Sequence, residues 1–483
     1  MRILQVASEA VPLCKTGGLA DVVTALSEAL VRRGDEVIVL MPAYRGTIAK
    51  AGATPAFELG DPLGLGHATR VLSAPLGDSG ATVYLLQCDA LFDRPGGPYG
   101  DEAGNDWPDN HLRFAVLGRA AAQIALASAA LGRPIDVVHA HDWQAALATA
   151  YLAWWGAGRP ATVFTVHNLH FTGRFPQAIL PDIGAPASAW SPADLEFYGE
   201  ASYLKAGLVH ADRVTTVSPT YADEIRTPEG GIGFDGLLRS RGAAVRGVLN
   251  GIDTRGWDPA HDPALAVPYD AEHLEGKRTA RAALQRELGL DPQTHAPVFG
   301  VVSRLTWQKG IDLWLGAAPA VLGEGAQLVV LGSGEPGLEQ ACLSLAAAYP
   351  GRVAVRRGYD EALSHRIFAG TDVFGVPSRF EPCGLTQMYA MRYGTPPVVR
   401  RTGGLADTVL DDDATDGTGF VFELPTVEAC MDAMLRALGA FRDPGRFAAL
   451  QRRAMDRRHD WTDSAGIYRQ LYAEAARAIR RST

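Results

Sequence analysis

Short apolar runs, each closed by turn residues and followed by a longer helical pattern, recur from one end of the sequence to the other. In the first half they are RILQVAS (2–8), EVIVLMP (36–42), TVYLLQ (82–87), IDVVHAH (135–141), TVFTVHN (162–168) and RVTTVS (213–218). In the second half they are PVFGVVS (297–303), QLVVLGS (327–333), RVAVRR (352–357), DVFGVPS (372–378) and PPVVRR (396–401). Continuous β-branched runs suit strands covered on both faces, and regular alternation with helices makes their sheets parallel. The fold class expected is therefore α/β, with doubly wound parallel sheets. Each run ends in small, polar or charged residues, where open parallel sheets hold their ligands.

A chain of 483 residues exceeds the usual single domain. The division is expected near GVLNGIDTRGWDP (247–259), followed to about residue 276 by an Asp-, Pro- and Ala-rich stretch that reads as linker. The segment SAGIYRQLYAEAARAIRRS has helical apolar spacing at Ile467, Leu471, Ala475 and Ala478. Two doubly wound domains facing one another across a cleft are expected.

Charge narrows the partners. Lys+Arg 45 against Asp+Glu 54 gives a formal net charge of −9, which excludes a broad basic surface for nucleic acid. An anionic partner must be gripped locally by a few cations. The five cysteines, Cys14, Cys88, Cys342, Cys383 and Cys430, are scattered without a CxxC spacing. Neither a disulfide framework nor a zinc knuckle is indicated, and a reducing cytoplasm fits. The start, MRILQVASEAVPL, is too short and too polar for a signal peptide, being broken by Glu9. The alanine-rich LGRAAAQIALASAALG reads as a buried helix, not a membrane span.

One loop is written twice. KTGGLADVV (15–23) and RTGGLADTV (401–409) agree at seven of nine positions, and both open on a cation. Each copy lies between an expected strand and an expected helix. Gly-Gly lets the backbone approach a ligand, and the following helix offers free N–H groups and the positive end of its dipole. One anion site per domain would suit a cleft that receives an anionic ligand from both sides. The alternative is two unrelated strand–turn–helix joints.

Other constellations stand at strand ends. VVSRLTWQKG places Arg304 and Lys309 where a fork and a point charge suit a diphosphate; the alternative is a pair of surface cations. In VPSRFEPCGLTQMYAMRYG (376–394), Glu381 precedes a helix opened by Gly384, Leu385 and Thr386. The carboxylate could hold sugar hydroxyls while the helix-start N–H groups meet phosphate, or it could serve only that helix. Cys383 sits at the same helix start, as a reactive thiol or as a small packed residue. HAHDWQ and TVHNLH carry His139, His141, Asp142, His167, Asn168 and His170, but no motif completes a metal-ligand set. DDD (411–413) reads as a solvated loop, not a magnesium site.

Taken together, KTGGLADV, HAHDW, TVHN, LNGID, SRLTWQKG, PSRFEPCGLTQMYAMRYGTPPVVRRTGGLADTV and GTGF resemble the bacterial glycogen synthase and plant starch synthase family, in that family's order and over nearly the whole chain. The resemblance implies a GT-B fold, two Rossmann-like domains around a deep interdomain cleft. Residues 1–248 would form the acceptor-side domain, completed by a C-terminal helix, 461–483, that crosses back to it. Residues 249–460 would form the nucleotide-sugar domain. It implies transfer of glucose from ADP-glucose to the non-reducing 4-hydroxyl of an α-1,4-glucan (glycogen), with retention. The catalytic set would be His167, Arg304, Lys309 and Glu381, with His167 beside the anomeric centre and Glu381 on the donor's 3- and 4-hydroxyls. Donor binding would add Lys15, Gly17, Gly18, Asp21, Asn250, Tyr359, Cys383, Gly384, Leu385 and Thr386, with Tyr359 stacking on the base. Glu9 and Asp142 would serve the acceptor.

Positive charge develops at the anomeric carbon and negative charge on the departing diphosphate, so the site must stabilise both. No carboxylate nucleophile can be assigned, so front-face attack is expected, the leaving phosphate taking the acceptor's proton. No metal, prosthetic group, nucleic acid or membrane is expected as a partner, and the chain is expected in the cytoplasm as a monomer or small homo-oligomer. The alternatives are another retaining GT-B glucosyltransferase, with UDP-glucose or a small acceptor, and a non-catalytic glucan-binding protein.

Overall fold

The computed structural model describes residues 1–130, 133–156, 158–292 and 296–482. The chain divides into two units, Met1–Gly251 with Trp461–Thr483, and Ile252–Asp460.

The first unit contains strands β1 (Arg2–Val6), β2 (Glu36–Pro42), β3 (Thr54–Gly60), β4 (Thr69–Pro75), β5 (Thr82–Gln87), β6 (Val137–His141) and β7 (Ala161–Val166). They are followed by β8 (Arg174–Phe175), β9 (Glu196–Phe197), β10 (Glu200–Ser202), β11 (Arg213–Thr216) and β12 (Val245–Gly247). Nine of these build one sheet in the order β12-β11-β7-β6-β1-β2-β5-β4-β3, and β8-β10-β9 form a small sheet of their own. From β12 to β5 every pairing is parallel. The exception is the edge, where β4 runs antiparallel to β5 and β3 antiparallel to β4. The edge strand β3 is exposed along almost its whole length, so it carries none of the continuous apolar signal of its neighbours.

Strand order reverses at β1, which has β2 on one side and β6 on the other. In a parallel sheet this reversal leaves a crevice outside the strands' carboxyl ends. The loops leaving β1 and β6 start there, and β7 follows next to β6 with His141 in register with Thr165.

Helix Asn110–Ala130 is the one described helix long and apolar enough to cross a membrane, and most of its apolar window is buried. It packs on helix Asp142–Trp155 so closely that a Cβ at Gly118 would lie 2.9 Å from the Ala148 nitrogen. Helix Trp461–Ser482 also belongs to this unit. Its buried face is Ala465, Tyr468, Leu471, Tyr472 and Ala475. The apolar face expected from spacing began at Ile467, which is 39% exposed. Two tyrosines, which the aliphatic pattern passed over, take the core positions, and Tyr472 reaches His139 Nδ1 through its hydroxyl at 2.7 Å.

The second unit holds β13 (Val298–Val302), β14 (Gln327–Gly332), β15 (Val353–Arg357), β16 (Val373–Val376), β17 (Pro397–Arg400) and β18 (Phe420–Phe422). Their order is β15-β14-β13-β16-β17-β18, all parallel. Trp314 lies fully buried over the sheet; a Cβ on Gly375 would sit 2.6 Å from its ring. The order reverses between β13 and β16, so the loops following these two strands share the crevice end of the sheet.

The stretch 252–274, read from composition as linker, has no regular element but is packed into this unit. The Trp257 ring stacks on His365 at 3.8 Å and Tyr389 at 4.0 Å. Asp258 pairs with Arg392 at 2.7 Å, and Asp262 accepts from the Tyr393 hydroxyl and sits 2.8 Å from His365 Nδ1. Irregularly spaced aromatic and acidic anchors give no periodicity, which is why the sequence showed none.

Candidate active site

In the first unit, the loop after β1 is shaped by a buried carboxylate. Glu9 accepts from the Thr16 hydroxyl at 2.6 Å, from the Thr16 backbone N–H and from the Tyr99 hydroxyl. These three bonds fix the chain on the approach to the Gly-Gly turn. Lys15 lies 3.0 Å from Asp21, one turn into helix Gly18–Arg32. Gly17 caps that helix in extended conformation, and a Cβ there would meet nothing within 4 Å. The turn therefore borders open space, with the helix-start N–H groups of Gly18 and the positive end of the dipole beside it.

At the ends of β6 and β7 three polar residues interlock. Asp142 follows His141 with φ +54, a left-handed conformation unusual outside glycine. That bend turns its carboxylate onto the His167 backbone N–H at 2.7 Å. His141 Nδ1 meets His167 Nε2 at 3.0 Å, and His141 Nε2 meets Gln5 Oε1 at 2.9 Å. Burial pushes the Asp142 carboxyl up to about 7, and the nearby Glu9 adds to the rise. Burial lowers His167 to about 3, and His141 well below its usual value, so both rings are neutral. His139 lies deeper, bonded to Tyr472 and Thr165. With both nitrogens of His139 and His141 engaged, the pair offers no lone pair to a metal. Among the described residues no cluster of His, Cys, Asp or Glu could hold one.

In the second unit, the loops after β13 and β16 bring Lys309 and Glu381 into direct contact. Lys309 Nζ donates to Glu381 Oε2 at 2.6 Å, and the Ser378 hydroxyl donates to the same oxygen at 2.8 Å. Glu381 is only 6% exposed, so the carboxylate of this pair is desolvated while the Lys309 side chain stays partly in solvent. The other carboxylate oxygen accepts nothing from the described residues and is available to hydroxyls. Arg304 is exposed, and its guanidinium has no partner among the described residues. Gly384 adopts φ +73, which only glycine takes without strain, and leads into helix Thr386–Arg392 through Leu385. Cys383 is buried, as a small packed residue would be.

The second Gly-Gly loop is packed differently, against backbone instead of open space. A Cβ on Gly403 would lie 2.0 Å from the Glu381 carbonyl oxygen, and one on Gly404 2.1 Å from that of Cys383. The Gly404 N–H donates to the Glu381 carbonyl at 3.1 Å, and the Leu405 N–H to Thr402 at 3.0 Å. Its glycines pack on the 381–383 backbone, and the Gly404 N–H is bonded to it. One motif thus has two roles, an open turn in the first unit and a buttress under Glu381 in the second.

Of the remaining expected residues, Asn250 is buried in the first unit, with its Oδ1 lacking a hydrogen-bond partner among the described residues. Tyr359 is 66% exposed after β15, its hydroxyl 3.0 Å from Glu361. The DDD run is not a loose loop: Asp411 pairs with Arg436 at 2.9 Å, and Asp412 with Arg446. Sequence reasoning missed Thr16, Tyr99, Ser378, Gln5 and Ser27, whose hydroxyl oxygen accepts from the Gln5 amide at 2.8 Å. Only Gln5 left a signal, a lone amide inside the apolar run RILQVAS.

Two largely parallel sheets, each with polar and charged side chains at its point of reversal, agree with the GT-B glycosyltransferase class to which similarity to known proteins assigns the chain. A family model described as starch synthase catalytic domain matches residues 2–240, and one described as glycosyl transferases group 1 matches residues 289–443. The chain is 48% identical to a glycogen synthase of Rhodospirillum rubrum over 475 residues, covering 98% of each. It is 47% identical to that of Serratia proteamaculans over 484 residues, covering 98% of this chain and 99% of the relative. Among solved structures, the catalytic domain of starch synthase IV from Arabidopsis thaliana, bound to ADP and acarbose, superposes with a TM-score of 0.88 at 32% identity, covering 98% of this chain and 99% of that one. Sucrose-phosphate synthase from Thermosynechococcus elongatus shares the fold, at a TM-score of 0.59 and 19% identity, over 98% of this chain and 99% of that one. The chain belongs to the glycogen and starch synthase family, and it is a retaining glycosyltransferase.

Proposed function

We propose that this protein transfers glucose from ADP-glucose to the non-reducing 4-hydroxyl of an α-1,4-glucan, with retention, and so lengthens glycogen in the cytoplasm. The observation that carries the reading is the Lys309–Glu381 pair at the reversal point of the second sheet, with Arg304, exposed, in the same loop as Lys309. Adenine is favoured as the donor base because the Arabidopsis relative was solved with ADP, and acarbose in the same structure favours a glucan acceptor.

Each group then has a task. Arg304 and the Lys309 ammonium neutralise the diphosphate, with N–H groups near Leu385 and Thr386 adding to them. The free oxygen of Glu381 accepts from the 3- and 4-hydroxyls of the donor glucose. Lys309 and Ser378, both bonded to its other oxygen, keep that carboxylate aimed. Lys15 and the open turn at Gly17 and Gly18 are the anion-binding features of the first unit, and Asp21 steadies Lys15. His167, neutral and held by Asp142, faces the donor glucose; Tyr359 stacks on the base and Asn250 contacts the sugar. The chain's own cations carry the charge stabilisation, so no metal or prosthetic group is invoked. The leaving phosphate takes the acceptor's proton as the acceptor attacks from the same face.

The test is labelled glucose transfer to glycogen from ADP-glucose and UDP-glucose side by side. ADP-glucose should be the better donor. Arg304→Ala should lose on the order of 3 kcal/mol of transition-state stabilisation, roughly a hundredfold in rate. Lys15→Ala and Glu381→Ala should also be severely impaired. Absence of incorporation from either donor by the intact chain would overturn the proposal.

A further inference from the structure

Polar side chains at the crevice end of the first sheet stand in single file. The Val23 carbonyl accepts from the Ser27 hydroxyl at 2.7 Å, and Ser27 Oγ accepts from Gln5 Nε2 at 2.8 Å. Gln5 Oε1 is 2.9 Å from His141 Nε2, and His141 Nδ1 is 3.0 Å from His167 Nε2. Gln5, Ser27 and His141 are fully buried, so water cannot substitute for any link.

The file has one direction. A carbonyl only accepts, so the single Ser27 proton points to Val23 and Ser27 must accept from the Gln5 amide nitrogen. That turns the Gln5 carbonyl to His141, whose Nε2 must then carry a proton. A neutral His141 keeps a lone pair on Nδ1 and accepts from His167 Nε2–H. His167 Nδ1 is left unprotonated, with no partner among the described residues. A flipped Gln5 amide would demand the Ser27 proton for itself and would reverse both imidazoles.

We infer that Gln5, Ser27 and His141 are positioning residues that fix His167 as its Nε2–H tautomer, presenting a bare Nδ1 to a hydroxyl group of the sugar substrate. The consequence for transfer rests on the reading that His167 faces the donor glucose. An imidazolium there would oppose the positive charge growing at the anomeric carbon, and a ring protonated at Nδ1 would offer a donor where an acceptor is required. Asp142 completes the arrangement by holding the His167 main chain at 2.7 Å, so that adjacent residues 141 and 142 fix ring and backbone together.

The test is long-range proton–nitrogen NMR on the full chain labelled with 15N-histidine, with His141→Gln and His167→Gln used for assignment. Both rings should show a protonated Nε2 and an unprotonated Nδ1. Gln5→Met removes the amide at similar length, and Ser27→Ala frees it to flip. Each should mix the His167 tautomers and lower kcat, by about tenfold for Gln5→Met, with KM for ADP-glucose changing much less. Should Gln5→Met fail to fold, Ser27→Ala carries the same test. A wild-type His167 protonated at Nδ1, or unchanged tautomers in both variants, overturns the inference whatever the activity. The expected tautomer together with undiminished transfer by His167→Ala overturns instead the placement of His167 at the donor glucose.

Discussion

Asp142 is a carboxyl group that the fold holds against its own ionisation. Its ordinary value of 3.8 is raised to about 7, chiefly by burial. Between those values the folded chain keeps a proton that the unfolded chain has released. This group's contribution to stability is therefore most favourable below its ordinary value and declines as pH rises towards 7. The full decline is bounded by about 4 kcal/mol. Asp142→Asn keeps an oxygen for the His167 N–H and removes the charge. Urea unfolding at pH 5 and pH 8 should show the variant gaining on the wild type as pH rises; parallel pH profiles would refute the assignment. At the same scale, Lys309→Ala leaves the buried Glu381 carboxylate with Ser378 as its remaining side-chain donor among the described residues and should cost about 2 kcal/mol in the same assay. Glu381→Gln in that background should recover part of it. His167, Arg304, Lys309 and Glu381 could be named from the sequence as candidates because they stand at expected strand ends inside motifs that resemble the family's. Their supports could not, because Thr16, Tyr99, Ser27 and Ser378 are ordinary polar letters whose role exists only when the chain brings them together.

Strands buried on both faces announce themselves, and β2 (Glu36–Pro42) and β5 (Thr82–Gln87) coincide with apolar runs read from the sequence. The β3–β4 hairpin does not, because an exposed edge strand has nothing to hide from water. The repeated loop shows where motif reading stops: nearly the same nine letters give an open turn in one place and a backbone buttress in the other, the difference set by what lies opposite. Gly17→Ala is compatible with the extended backbone there and should leave unfolding within about 0.5 kcal/mol of wild type. It places a methyl group in the open space proposed for the donor, so KM for ADP-glucose should rise. Gly404→Ala drives a Cβ to 2.1 Å from the Cys383 carbonyl and should cost upwards of about 2 kcal/mol, with loss of transfer through Glu381. Equal stability for the two variants, by thermal or urea unfolding, would remove the distinction drawn between the loops.

The chain leaves its first unit at Gly251, completes the second, and returns at Trp461, so one unit is continuous in sequence and the other is not. Ile252–Asp460 has its own six-stranded sheet, a core around Phe299, Val301, Trp314, Leu328 and Val330, and the packed 252–274 stretch as part of its wall. It also holds Arg304, Lys309, Glu381 and Tyr359. Expressed alone, residues 252–460 should unfold in one cooperative transition and bind ADP measurably by calorimetry, while transferring no glucose. Met1–Gly251 lacks helix Trp461–Ser482, and with it the Tyr472 hydroxyl that satisfies buried His139 and the Arg469 guanidinium 3.1 Å from buried Asp35. A buried polar group stripped of its partner costs about 1–3 kcal/mol, and the tyrosine faces add lost apolar burial. Residues 1–251 should therefore be poorly folded alone and gain ordered near-ultraviolet dichroism when a 461–483 peptide is supplied. A stable 1–251 fragment indifferent to the peptide would show that the returning helix is dispensable to the first unit's core. A 252–460 fragment that folds without binding ADP would show that the donor's affinity depends on residues outside the second unit, with Lys15 and the turn at Gly17 the first to examine.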